Sequence, residues 1–343
     1  MQKEKLYGKT LSELIAVAKR LSLPGFAAKQ IADWLYKKEI DSIESMTNLS
    51  KKARELLSED YIYGLSTPVT SSESSDGTKK YLYNVLIDKY IETAYIPDNE
   101  RATICVSSQA GCKMGCLFCM TGRQGFQGNL SSNEILNQFR SLPEFKNLTN
   151  IVYMGMGEPL DNLNELLKSL DILTSDWGYG WSPTRITVST VGLVANVTEF
   201  LEKSRCHLAV SLHSPFDDER RELMPIQRTN SVKDVLNAIR SFDFNSQRRI
   251  SFEYILFKGL NDSPRHIKEL ARILNGIKCR INIIRFHPIP GSLYESPDIE
   301  TTIRFKEKLN DKGILTTIRA SRGEDIQAAC GLLSTLEQNK SGK

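Results

Sequence analysis

Apolar positions recur at helical spacing through about the first 75 residues and then switch to the two-residue period of strands. Leu11, Leu14, Ile15 and Ala18 share one helical face, and Thr10 with Glu13 forms a candidate capping box. Ala27, Ile31, Trp34 and Leu35 repeat the pattern after the Pro24-Gly25 turn, and Ser50 is placed to cap a third helix reaching Leu57. Residues 1–75 are therefore expected to form a small helical domain, closed by the polar stretch 71–77. From 79 to 96 the alternation of Tyr81, Tyr83, Val85 and Ile87, then Ile91, Thr93 and Tyr95, predicts a hairpin broken at Asp88-Lys89. The expectation for 76–100 is a connecting hairpin.

Beyond residue 101, short β-rich runs at 104–107, 151–154, 185–189, 207–212, 250–256 and 280–286 alternate with helical patterns. Those helical patterns fall near 132–142, 162–173, 193–203, 231–242, 264–275 and 299–312. Six βα repeats predict parallel strands with helices outside. Six are too few for an eight-fold barrel, so the fold class expected for 101–343 is α/β, a partial, open (β/α)6 barrel. Chemistry in such folds gathers at the carboxyl ends of the strands.

The loop after the first barrel strand reads Cys112-Lys-Met-Gly-Cys116-Leu-Phe-Cys119. Three thiols in one glycine-punctuated loop can hold three irons of a cubane and leave the fourth open. The amino and carboxylate groups of S-adenosylmethionine (SAM) fit such a vacancy. A zinc ribbon would need a second C-x2-C pair, which the chain lacks, and packing of buried thiols does not explain the clustering. The remaining cysteines, Cys105, Cys206, Cys279 and Cys330, are isolated. Met154-Gly-Met-Gly-Glu158-Pro159 ends the second strand; Gly157 lets backbone approach a ligand, and Glu158 can accept from an ammonium group. Polar tips also end the third strand at Ser189 and the fourth at Ser211-Leu212-His213, and His287 follows the sixth.

Composition changes this picture little. In 343 residues, 40% are hydrophobic and 25% charged, the proportions of an ordinary globular protein. No run approaches the ~18 apolar residues of a membrane span, and the first residues lack the apolar core of a signal peptide. A cytoplasmic location without membrane association is expected. The formal charge of +4 is weak evidence for a polyanionic partner, although Lys37-Lys38, Lys51-Lys52 with Arg54, and Arg248-Arg249 are compact basic groups.

The cysteine spacing resembles that of the radical-SAM superfamily, whose members bind the SAM amino group with a Gly-Glu-Pro stretch. Three further segments narrow the resemblance: Met120–Leu130 after the cluster loop, Cys105 seven residues before it, and Gly323–Gly331 near the end. Together they resemble the dual-specificity ribosomal-RNA and transfer-RNA adenine-C2 methyltransferases. The resemblance implies one [4Fe-4S] cluster on Cys112, Cys116 and Cys119, and two SAM per turnover. It implies SAM contacts at Gly157, Glu158, Ser189, Ser211, Leu212, His213 and His287, the last standing where the family carries asparagine. It implies a ping-pong route in which Cys330 carries a methyl group, Cys105 resolves the protein–RNA intermediate and Glu92 removes the ring proton. The implied substrates are adenosine 2503 of 23S rRNA and adenosine 37 of tRNA. The implied partners are these RNAs and an electron donor such as flavodoxin or ferredoxin, with the enzyme a monomer. The sister family that methylates carbon 8 and a non-enzymatic iron–sulfur RNA sensor are the competing readings. The stretch Gln124-Gly-Phe126 favours the C2 group, and the sensor leaves Cys105 and Cys330 unexplained.

Overall fold

The computed structural model describes residues 3–38, 40–242, 244 and 248–335. At the N-terminus β1 (Glu4–Lys5) pairs in parallel with β2 (Tyr61–Ile62), and between them run α1 (Leu11–Arg20), α2 (Ala27–Tyr36) and α3 (Lys51–Asp60). The Thr10–Glu13 capping box is present, and Ser50 Oγ accepts from Ala53 N–H. Leu14, Ala28, Ile31, Leu35 and Leu57 form the inward faces. The domain docks through polar contacts as well as packing. Asn133 donates to the carbonyls of Tyr7 and Gly64, both at 2.9 Å. Gly8 makes this approach possible, since a Cβ there would lie 2.5 Å from the Asn133 backbone.

The rest of the chain is organised by a ten-stranded sheet. Strands β3 (Thr70–Glu73), β4 (Lys79–Val85), β5 (Lys89–Asp98) and β6 (Arg101–Cys105) form an antiparallel meander. Next come the small ribbon β7 (Gln109–Ala110) and β8 (Gly128–Asn129), with α4 (Met120–Gln124) between them, and then α5 (Ser132–Arg140). Strand β6 also pairs in parallel with β9 (Asn150–Tyr153). The sheet then continues in parallel through β10 (Ile186–Thr190), β11 (His207–Ser211), β12 (Ile250–Leu256), β13 (Cys279–Arg285) and β14 (Leu315–Ile318). The crossover helices are α6 (Leu163–Thr174), α7 (Val194–Lys203), α9 (Val232–Arg240), α10 (Pro264–Ile273) and α11 (Ile299–Asp311), with α8 (Asp217–Leu223) a short extra turn. None of the described helices is long and apolar enough to cross a membrane.

The six expected barrel strands and their helices are all present. Two expectations need correction. The hairpin is no separate connector, because β5 pairs with β6 and makes the meander a flank of the barrel sheet. The helical domain accordingly ends before Thr70 rather than at residue 75. There is also a seventh parallel strand, β14, whose sequence Leu-Thr-Thr-Ile lacks an apolar run because Thr317 points inward to Asn282 at 2.9 Å.

Replacing Thr10 by Ala removes one half of the capping box and should lower stability by about 1 kcal/mol. Urea unfolding followed by far-UV circular dichroism would read this as an earlier onset.

Candidate active site

The cysteine loop leaves the carboxyl end of β6 and folds over the barrel. Gly111, at φ +69°, brings its backbone so near Gly125 that a Cβ would overlap the Gly125 carbonyl. Cys112 and Cys116 are buried, Cys119 is half-buried, and all three are free thiols. Met114, Phe118, Met224, Phe257 and Phe286 pack around them. Burial first, with the neighbouring thiols adding to it, pushes the Cys112 thiol up to about 12 and the Cys116 thiol well above its ordinary range. Thiols this desolvated become thiolates only against a positive charge such as a metal's. No three His, Cys, Asp or Glu side chains among the described residues close on a single metal ion. A cubane asks for something else, one thiolate per iron, and three sulfurs in an apolar shell fit that group.

Arg220, buried behind this loop, was not foreseen, because it lies in the charged run Asp217–Glu222, which reads as a solvated face. Its guanidinium donates to the carbonyls of Val191 (2.7 Å), Ser211 (3.0 Å) and Leu212 (3.2 Å), and to Gln227 Oε1 (2.6 Å). It ties the ends of β10 and β11 together. Burial lowers its pKa to about 10, so it stays charged beside Cys116.

One strand further on, Gly157 (φ +99°) lies so close to Gln109 that a Cβ would sit 2.5 Å from that side chain. Glu158 is buried and accepts from Thr190 Oγ1 (2.6 Å) and from the Val191 (2.9 Å) and Leu160 (3.2 Å) amides. Burial raises its pKa to about 7 against those hydrogen bonds. Such a carboxylate is poised to exchange its proton for an external cation, as an ammonium group would provide. Ser189 and Ser211 stand at the tips of β10 and β11, and the Leu212 carbonyl is taken by Arg220. His213 accepts from Ile255 N–H at Nδ1 (3.0 Å) and packs edge-on to Phe118, with ring centroids 4.7 Å apart. Burial lowers its pKa to about 3, so it is a neutral prop of the cluster loop.

Inside the barrel a cavity of about 1070 Å³ brings together Cys105, Cys119, Met154, His287, Arg319 and Cys330. Cys105 packs against Ala94 and Ala328, and burial lifts its thiol to about 12. Cys330 is exposed to this cavity; the surrounding protein raises its pKa by desolvation and Arg319 opposes the rise. Arg319 Nη1 lies 3.4 Å from Met154 Sδ, and its Nε lies 3.8 Å from Glu253 Oε2. Sequence reasoning missed it because it follows the unrecognised β14. His287 reaches Ser321 Oγ at 3.2 Å, and burial lowers its pKa.

Glu92 does not line this cavity. It is buried on β5, ion-paired to Lys80 (2.9 Å), and accepts from the Ser334 amide (2.9 Å). The C-terminal segment thus lies between it and solvent. Of the basic groups, Arg248 is engaged by the carbonyls of Leu201, Ser204 and Cys206, while Lys38 and Lys51 pair with Asp33 and Glu55.

This constellation, on a partial parallel barrel, defines a radical-SAM enzyme, and residues 106–272 match the Radical SAM superfamily. Residues 5–62 match the ribosomal RNA large subunit methyltransferase N-terminal domain. The probable dual-specificity RNA methyltransferase RlmN of Bacteroides fragilis (strain YCH46) is 57% identical over 343 residues, all of both chains. The dual-specificity RNA methyltransferase RlmN of Campylobacter lari is 42% identical over 329 residues, covering 90% of this chain and 92% of that one. The crystal structure of a radical SAM methyltransferase from Sphaerobacter thermophilus superposes with a TM-score of 0.89 at 38% identity, covering 96% of this chain and 99% of that chain. The chain belongs to the RlmN family of radical-SAM methyltransferases.

The raised Glu158 pKa gives the cluster-free protein a pH signature. The folded carboxyl keeps a proton that the unfolded chain loses from about 4.5 upward. Its contribution to stability is therefore full below that value, is lost as pH rises towards about 7, and is flat above. Glu158→Gln should make the pH 5 to 8 trend in thermal midpoint shallower than in wild type; parallel trends would disprove the shift.

Proposed function

We propose that this protein methylates carbon 2 of adenosine in 23S rRNA and in tRNA, at adenosines 2503 and 37. The observation that carries the reading is the single cavity lined by Cys105, Cys330 and Cys119 of the cluster loop. An SN2 donor needs a nucleophile, and C2 of adenine is electron-poor, so a relay thiol is required. Cys112, Cys116 and Cys119 would hold a [4Fe-4S] cluster, and Glu158, Gly157 and the β10–β11 tips would hold SAM. When bound and reduced by a flavodoxin or ferredoxin, the cluster supplies one-electron cleavage of SAM.

Cys330 Sγ takes the methyl group of a first SAM, and Arg319 favours the thiolate that this requires. Once that S-methyl carbon has lost a hydrogen atom to the product of a second SAM, it bonds to C2 and links Cys330 to the RNA; the ring radical so formed becomes aromatic again by giving up one electron, back towards the cluster that Cys112, Cys116 and Cys119 would hold, together with the C2 proton. We assign loss of the C2 proton to Glu92. In the described conformation that carboxylate lies under Ser334, so RNA entry must lift residues 333–335 to reach it. Cys105 then attacks Cys330 Sγ; a disulfide forms, the sulfur–carbon bond breaks, and its electron pair leaves with the base, where the carbon takes up a proton to complete the methyl group. External thiol reduces the disulfide before the next turnover. In the helical domain, Lys37 and Lys52, neither ion-paired among the described residues, supply part of the phosphate grip.

The decisive experiment compares single variants of the reconstituted enzyme. Cys105→Ala should accumulate RNA covalently attached to Cys330 and stable to reducing agent, whereas Cys330→Ala should form no adduct. Release of methylated RNA by Cys105→Ala at the wild-type rate would remove Cys105 from the mechanism. Nucleoside mass spectrometry of the product distinguishes 2-methyladenosine from the 8-methyl isomer made by the sister family. Alanine at Cys112, Cys116 or Cys119 should abolish iron retention, while Cys105→Ala should keep its iron.

A further inference from the structure

The proposed chemistry occupies the carboxyl ends of the barrel strands. At their amino ends the same cavity opens onto a second rim that this chemistry does not use. Arg101 begins β6, Arg185 and Arg249 immediately precede β10 and β12, and Arg280 is the second residue of β13; all four line the cavity. None of the four side chains makes an ion pair or hydrogen bond among the described residues. The whole cavity is lined by seven arginines and only two carboxylates, Asp98 and Glu100. Asp98 is already paired with Arg322 at 3.4 Å.

Arg101, Arg185 and Arg249 are exposed and Arg280 is half-buried, and like charges gathered on one rim repel one another; the Glu253 carboxylate offsets part of this at Arg280. His207, between them, reports the sign of the field. Its Nδ1 accepts from Arg249 N–H at 3.1 Å, and its pKa falls to about 4, through burial first and then Arg249, Arg280 and Arg248. Arg280 is itself lowered, by burial and then by Arg249. Neutral hydroxyls lie among the arginines: Thr184 and Thr187 line the same rim. No lysine lines the cavity among the described residues. Planar guanidinium forks match phosphate oxygens two at a time, a geometry that lysines do not offer.

We propose that the amino-end rim is a binding site for a phosphate-bearing ligand, gripped by Arg249 and Arg280 and completed by Arg101 and Arg185. The ligand chemistry has two sources, the backbone of the RNA substrate running past the open side of the barrel, or a free compound such as pyrophosphate. Such a site is compatible with methylation of either adenine carbon.

The test uses the full-length, cluster-loaded protein and the double variant Arg249→Gln/Arg280→Gln. Pyrophosphate binding by titration calorimetry should weaken at least about tenfold in the variant, as expected when charge-assisted hydrogen bonds are lost. If RNA affinity falls in parallel and its salt dependence flattens, the backbone is the natural ligand. If RNA affinity is unchanged, a free phosphate compound is. Should the glutamine pair fail to fold, judged by circular dichroism and iron content, Arg249→Lys/Arg280→Lys keeps the charge and removes the forks. That pair should still bind pyrophosphate several-fold more weakly than wild type. Equal binding by wild type and a folded variant, or no pyrophosphate binding by wild type, would overturn the proposal.

Discussion

Everything at this site depends on how residues 319–335 are held, because they carry Cys330 yet contain no helix or strand. The segment is clamped from both sides. The turn between β3 and β4 takes one end: Asp76 accepts from the Gly323 amide (2.9 Å), and Asp325 accepts from Ser74 Oγ (2.5 Å) and Ser75 N–H (3.1 Å). The cluster loop takes the other: Met120 N–H donates to the Gly331 carbonyl (2.8 Å), and Thr121 Oγ1 to that of Leu333 (2.7 Å). Cys330 is thus fixed between the antiparallel flank and the helix that follows Cys119. In the proposed route this thiol meets first a methyl donor, then a base, then Cys105, which asks for both a defined position and a tether that can move. Hydrogen bonds at the ends of an irregular segment meet both requirements better than a strand would.

The antiparallel flank therefore has a mechanistic meaning. It adds strands to the barrel sheet, supplies Ala94 behind Cys105, and offers the turn that receives the C-terminal segment. Its Glu92 is joined to that segment through Ser334, so the proposed base and the proposed methyl carrier are mechanically linked. Displacing the segment would unmask the carboxylate and shift Cys330 together.

Much of the fold was legible because barrel strands buried on their outer face announce themselves as β-branched runs. The loop cysteines were legible because three thiols crowded into one short loop suit a metal cluster far better than they suit packing. What escaped was decided by burial that no local pattern reveals. Arg220 sits in a run of charges and is nevertheless enclosed, since strand-end carbonyls need a donor and its five N–H groups provide one. Strand β14 escaped because its inward positions are polar, and Arg319 escaped with it. The flank was read as a connector because pairing between β5 and β6 is a matter of register across a turn, and alternation alone does not specify the partner.

The polar lumen follows from the same logic. A closed eight-stranded barrel fills its interior with branched apolar side chains. Here Ser251, Glu253, Asn282 and Thr317 face inward instead, with Asn282 donating to Glu253 Oε1 (2.7 Å) and accepting from Thr317 (2.9 Å). The other Glu253 oxygen is buried without a hydrogen bond, and Arg319 stands 3.8 Å away as its only compensating charge in the ion pairs of the described residues. Arg319 is held by that attraction and by its contact with Met154 Sδ (3.4 Å), and it lies near enough to Cys105 and Cys330 to oppose the burial that raises both thiols. Burial alone would keep both thiols protonated; a cation beside both favours each thiolate that the proposed route requires.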